Sequence, residues 1–580
     1  MNLTQESTFN QERIDELPVL LAQCQLMGLQ KLIEKHFPTH GNWQGLSLGW
    51  VVVVWLCHII SQQDHRLSYV QEWVEKRLQT IRGCTGQTLR GLDWSDDRLA
   101  ASLRYLSEDK NWEEFERELG GNLVQVYEIE TNKVYLDSTT SSSYCGVDES
   151  GLFQWGKSKD HRPDLRQVKI MLSTLEPIGM PVATEIVAGN KADDPLYTPA
   201  VNRVRKTLNK SGLLYVGDCK MAALSTRADI NRGGDYYLCP LSAKQINEEE
   251  LTELVMKVWL GKQPTTNVEY DYSNGKREII AIGYQTEVKV SAFLEEELLK
   301  KKHNCWQERR LVVRSVKAAQ REELALRSRL DKAQLALSEL GQPRQGKKRL
   351  KTLEDWQKIG QKIITSYRVQ GLLELDYQVE TKSRGIRKHG NRPARVEEKT
   401  TITLSVNVNE SALEKKLYLC GWRVYATNHP TKTFTLNDAV VAYRENYSIE
   451  RDFRRLKNAP LSLTPIYLQR DDHIKGLIRL LSLGLRILTL LEWKVRHKLS
   501  QQKKTICGLY PSNPKRDTAR PTAEKLLLAF AEINLLSIVT HGSTYLHLNP
   551  LTSLQQEILG LLDLTTDIYS QLAVSNTQPP

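Results

Sequence analysis

Apolar and polar positions follow three rhythms along the chain. From about residue 12 to 125 apolar residues recur at helical spacing. Leu99, Leu103 and Leu106 follow the polar start Trp94-Ser-Asp-Asp-Arg-Leu99, with Ser95 as a candidate N-cap. Near residue 131 the pattern changes. Val134-Tyr-Leu-Asp137 is a short apolar strand ending on an acid. Gly151–Gly156, Val168–Ser173 and Pro181–Val187 read as further strands, and Leu196–Leu208 as a helix. Leu213-Leu-Tyr-Val-Gly-Asp218 is a second apolar strand ending on an acid. Strands, a helix and a further strand predict an α/β domain with a mixed sheet.

Between about 240 and 415 that rhythm breaks. Strands are predicted at 265–272, 277–290, 371–381 and 399–408, around a charged helical stretch over 292–340. Leu326, Leu330, Ala333, Leu337 and Leu340 form an apolar seam, too short for a free coiled coil and better suited to packing on its own domain. Two basic segments, Arg344–Lys351 and Lys382–Arg395, are candidate phosphate-binding loops or solvated charged loops. The α/β pattern then returns, with a strand at Leu417–Thr427, a helix from Leu436 to about Leu456, and apolar helices through 474–497. A basic linker, Gln501–Arg520, leads into further helices. The predicted division is 1–125, 126–240, 241–415, 416–500 and 501–580; the first region binds DNA ends or serves only for packing.

Bulk properties narrow the class. A chain of 580 residues is too long for one core. A formal charge of +11 favours a polyanionic partner, nucleic acid before membrane. Nine scattered cysteines, an odd number without a CxxC pair, argue against a disulfide framework or structural zinc and point to a reducing, cytoplasmic setting. The polar N-terminus does not read as a signal peptide. Leu48–Ile60 is too short to span a membrane, and Lys475, Arg479 and Arg486 interrupt Ile474–Trp493, so both read as buried helices.

The candidate chemistry lies in three acids. Asp137 and Asp218 end strands, where a carboxylate can hold a metal in the adjacent crevice; taken singly, each is more often a turn or cap residue. Glu450 lies in Tyr443-Arg-Glu-Asn-Tyr-Ser-Ile-Glu450-Arg-Asp-Phe-Arg-Arg-Leu-Lys457. As one helix, this segment places Tyr443, Asn446, Tyr447, Arg454 and Lys457 near Glu450, beside an apolar stripe of Ile449, Phe453 and Leu456. Three carboxylates without histidine or cysteine suit hard cations, Mg2+ above all. Two such ions can make a water or 3′-hydroxyl nucleophilic and offset charge on a leaving phosphate oxygen.

The stretch from about 130 to 497 resembles the ribonuclease-H-like core of DDE-type bacterial insertion-sequence transposases, in the group with a Tyr-x2-Arg-x3-Glu-x6-Lys signature. This chain reads Tyr443-x2-Asn446-x3-Glu450-x6-Lys457, with Asn446 where the group has arginine. Gly156–Gln167, Gly189–Asp193 and Val216–Met221 are similar to one branch of that group. The resemblance implies an α/β catalytic core interrupted by a β-rich and helical insertion, with a helical N-terminal domain and a helical C-terminal region. It implies metal coordination by Asp137, Asp218 and Glu450 (two Mg2+, with Mn2+ as a substitute) and phosphate contacts from Tyr443 and Lys457. Lys220 is a further candidate phosphate contact, and Arg444 or Arg454 a source of the missing charge. Trp422 either stacks on a flipped base or sits in the core. The implied partners are double-stranded DNA, both transposon ends and target, and a second copy of the chain. A nuclease without strand transfer and a non-catalytic DNA-binding protein are the competing expectations.

Overall fold

The computed structural model describes residues 8–144, 150–272, 275–292, 304–340, 350, 352–386, 395–540 and 543–573. The chain forms two compact units. One comprises Met1–Cys239, Ser291–Trp306 and Ala442–Pro580, the other Pro240–Val290 and Gln307–Val441.

The first unit includes the strands β1 (Lys133–Ser142), β2 (Gln167–Glu176), β3 (Met180–Ala188), β4 (Leu214–Gly217) and β5 (Tyr236–Pro240), which belong to one sheet. They pair in the order β3-β2-β1-β4-β5. β1 is antiparallel to β2, and β2 to β3, whereas β1, β4 and β5 run parallel. The helix Tyr197–Leu208 connects the hairpin side to β4, the crossover that a parallel neighbour requires. β1 continues past Asp137, where the sequence predicts its end, because Ser138–Ser142 pair with Met171–Gln167 of β2. Their short polar side chains are buried, so the ladder persists where hydropathy suggests a loop. Gly151–Gly156 does not form the predicted strand; only Gln154 makes a bridge, to Gln167.

Both apolar stretches of this unit are interior helices. Leu48–Gln62 is buried from Leu48 through Ile60. The helix Asp471–Gln502 buries its leucines and isoleucines along with two arginines. Arg486 pairs with Glu116 at 2.6 Å, each about 1% exposed, and Arg479 donates to the Leu106 carbonyl at 2.9 Å. Among the described residues no helix is long and apolar enough to cross a membrane. The region after Arg520 is less helical than predicted: Asn534–Thr540 pairs with Ser543–Leu548 and, on its other edge, with Thr8–Arg13.

Trp422–Thr427, Asn304–Ser315, Arg277–Ala292 and Thr266–Asp271, which lie chiefly in the second unit, pair in that order. The segment Asn304–Ser315 is a strand rather than part of the predicted helix, which among the described residues spans Val316–Ser338; 293–303 lie outside the described residues. Its charges disguise the burial of Glu308 and Arg309 within the ladder. The seam packs on its own domain as expected: Leu326, Leu330, Ala333 and Leu337 form a core with Ile364, Leu373 and Leu413. Leu417 and Tyr418 belong to the helix Glu410–Tyr418; the strand begins only at Trp422, after a turn at Gly421 with φ +81°. Of the two basic segments, Arg344–Lys351 lies outside the described residues except Leu350. Lys382–Arg395 has its ends in the hairpin Leu373–Ile386/Arg395–Val408, with 387–394 outside the described residues.

Candidate active site

The strand register brings the first two acids together. Leu136 of β1 is the partner of Gly217 of β4 in a parallel pair, so the next residues, Asp137 and Asp218, are neighbours on adjacent strands. Parallel strands lie about 4.8 Å apart. Asp137 therefore sits in mid-strand and Asp218 at the carboxyl end of β4.

The surroundings of the two carboxylates differ. Burial pushes the Asp137 carboxyl up to about 6; the charges of Asp218 and Asp193 add to that rise, while Lys159 and the Ser138 amide oppose it. The Ser138 amide donates to Asp137 Oδ1 at 2.7 Å, and Lys159 Nζ stands 3.7 Å from the same oxygen. Asp218 Oδ1 accepts from the Tyr197 hydroxyl at 2.6 Å and from the Lys220 amide at 2.8 Å. Asp193 accepts from Ser138 Oγ at 3.1 Å and pairs with Lys169 at 2.7 Å. Burial alone would raise the Asp193 carboxyl, but Lys169 and Lys159 hold it below the usual range. Three carboxylates thus act on one another at one end of the sheet, ringed by lysines.

Glu450 occupies a different setting. The sequence predicts one helix from Leu436 to about Leu456, but two form, Leu436–Arg444 and Tyr447–Lys457. No glycine or proline marks the break. Tertiary contacts hold it: the Tyr135 hydroxyl donates to the Ala442 carbonyl, and Lys133 pairs with Glu445 at 3.2 Å. Tyr443 consequently lies on the first helix and Glu450 on the second. The second helix buries Ile449, Phe453 and Leu456 as predicted and packs against β1 and β2. Glu450 is exposed, as are Tyr447 and Arg454. Lys457 is paired with Asp160 at 2.5 Å. Lys220 is exposed and stands 3.5 Å from Asp194, whose charge raises its pKa.

A network absent from the sequence reading fixes this second helix. Arg451 and Arg455 both reach Glu492, and Arg455 also pairs with Glu524 at 2.7 Å. Ser448 hydrogen-bonds Glu176 at the end of β2, and Arg451 donates to the Ile178 carbonyl at 3.2 Å. Gly179, at φ +75°, completes that turn; a Cβ there would meet Arg451 Nη2 at 3.0 Å.

Among the described residues no three His, Cys, Asp or Glu side chains stand close enough to share a metal ion. Asp137 and Asp218 do have the chemistry such an ion needs, adjacent carboxylate oxygens one of which is costly to ionise without a cation nearby. Trp422, in the second unit, is 2% exposed; its indole N–H donates to the Tyr418 carbonyl at 3.0 Å, and it packs with Tyr284, Val312 and Val424. Core packing accounts for it. The sequence reading missed Lys159, Asp193 and Tyr197 as neighbours of the acids. The resemblance had marked the segments holding Lys159 and Asp193, but only the strand register shows what they face.

No protein-family model matches the chain, and no curated protein matches it. Among solved structures the chain is similar to a piggyBac transposase in a synaptic complex with hairpin DNA, with 7% identity and a TM-score of 0.32. That alignment covers 97% of this chain and 86% of the other. A score at that level does not establish a shared fold.

Proposed function

We propose that the chain is a DDE-type DNA transposase, with Asp137 and Asp218 as two metal ligands and Glu450 as the third acid. In this reading the β3-β2-β1-β4-β5 sheet is a ribonuclease-H-like core and the second unit is its insertion. The observation that carries the proposal is the in-register placement of Asp137 beside Asp218 on parallel strands. A bound Mg2+ would supply charge neutralisation for phosphodiester chemistry. The residues of the chain have their own tasks. Tyr197 and the Lys220 amide orient the Asp218 carboxylate, and the Ser138 amide orients that of Asp137. Two copies would act on a pair of DNA ends.

The test uses the purified full chain, Mg2+, and a plasmid carrying inverted repeats from the DNA that flanks its coding region. Cleavage at the repeats and joined products are expected. Asp137→Asn, Asp218→Asn and Glu450→Gln should each abolish both. Nicks without joined products would instead establish a nuclease. Wild-type protein that neither cuts nor binds the repeats, or an Asp137→Asn variant that cuts normally, would refute the proposal.

A further inference from the structure

The segment that crosses from Trp155 to Arg166 has a composition the metal site does not explain. Tyr144 and Trp155 are 56% and 54% exposed. Each is backed by a guanidinium. Arg162 stands 5.2 Å from the Tyr144 ring centroid and donates to its hydroxyl at 2.8 Å; Arg166 stands 5.8 Å from the Trp155 ring centroid. Backbone hydrogen bonds fix the two rings relative to each other. The Ser143 amide donates to the Arg166 carbonyl at 3.0 Å, and Gln154 and Gln167 exchange bonds of 3.0 and 3.1 Å. The residues preceding the two rings therefore flank the same two-residue stretch on opposite sides, roughly 10 Å apart at two strand spacings. The same segment delivers Lys159 to within 3.7 Å of Asp137. Its two carboxylates are already engaged, Asp160 by Lys457 at 2.5 Å and Asp164 by Arg162 at 2.6 Å.

We propose that Tyr144 and Trp155 form a stacking platform for unpaired nucleotides, leading a single strand toward Asp137. Two open aromatic faces set among cations match the chemistry of a nucleobase and its phosphate. A rigid duplex hides its base faces within the stack and cannot use such rings. The inference rests on the DNA reading above and adds which DNA structure the site prefers: a frayed or single-stranded end.

The test is fluorescence anisotropy with the full chain in EDTA, which prevents cleavage. The probes are a fluorescein-labelled single-stranded oligothymidylate and a labelled duplex. Tyr144→Ala and Trp155→Ala should each weaken oligothymidylate binding by about tenfold. Duplex affinity should stay within about twofold, and Trp155→Phe should restore most of the loss. If the wild type binds both probes and the double alanine variant binds oligothymidylate equally well, the platform is refuted while the DNA reading stands. An equal loss for both probes also refutes it, since stacking would not discriminate against base pairs. Wild-type protein that binds neither probe overturns the DNA reading, and the platform with it.

Discussion

Two groups of carboxylates in the first unit leave bulk water in opposite ways. Glu492 is 2% exposed and meets Arg451, Arg455 and Arg496; Glu524 shares Arg455. Guanidiniums there answer Glu492 and Glu524, and the Glu524 carboxyl, which burial would raise, is pulled down to about 2 by Arg455. At the crevice, burial pushes the Asp137 carboxyl up to about 6, against the opposing charge of Lys159 at 3.7 Å, and the carboxylates of Asp218 and Asp193 add to the rise. The first arrangement is finished and holds a helix in place. The second still calls for positive charge. A structural ion network and a candidate reaction centre are thus told apart by whether the protein itself supplies the counter-charge.

The largest test of this contrast removes the centre of the finished network. Glu492→Ala leaves three arginines facing a void and should destabilise the first unit by about 3–5 kcal/mol, read from urea denaturation. A loss under about 1 kcal/mol would mean the network holds nothing together.

Next comes pH. The Glu176 carboxyl, beside Ser448, is raised to about 8 by burial, against 4.5 when unfolded. The folded chain keeps its proton longer, so this group's stabilisation is complete below about pH 4.5 and fades as pH climbs toward 8. Glu176→Gln should flatten that alkaline decline, by on the order of 3 kcal/mol at pH 9. Glu524 works in the opposite sense. Its stabilisation is present above 4.5 and disappears as pH falls toward 2. Since Glu524 is 38% exposed, solvent screening limits Glu524→Gln to about 1 kcal/mol near neutral pH. Urea midpoints from pH 3 to 9 would show the two limbs separately.

A smaller effect sharpens the other side of the contrast. Millimolar Mn2+ should raise the melting temperature of the wild type by about 2–4 °C, reversibly with chelator, and should leave Asp218→Ala unmoved. A wild type indifferent to Mn2+ would show that the crevice does not seek a cation. The smallest change expected is for Lys220→Ala. Folding stability should hold within about 0.5 kcal/mol, while the salt dependence of duplex binding shallows by about one phosphate contact.

Local pattern revealed much of this architecture. β3 and β4 are apolar runs and lie within a residue of their predicted bounds, β2 runs three residues past Ser173, and Asp218 falls where β4 ends. The polar run Ser138–Ser142 concealed the second half of β1, because burial of hydroxyls depends on what packs above them. The break before Tyr447 was invisible since Tyr135 and Lys133, some 300 residues earlier, hold it open. Arg479 and Arg486 correctly argued against a membrane span, but their partners, Asp109 and Glu116, were beyond sequence reasoning. The same limit applies to Glu450: its spacing to Lys457 is legible, whereas its exposure and the pairing of Lys457 with Asp160 belong to the folded chain.

Among the described residues, the strand Thr8–Arg13 pairs with Asn534–Thr540 alone. During synthesis this strand must therefore wait, its edge open, until Asn534–Thr540 has left the ribosome. Fragments that stop before Asn534 lack the closing piece, so a segment far along the chain sets when this part of the molecule can be sealed.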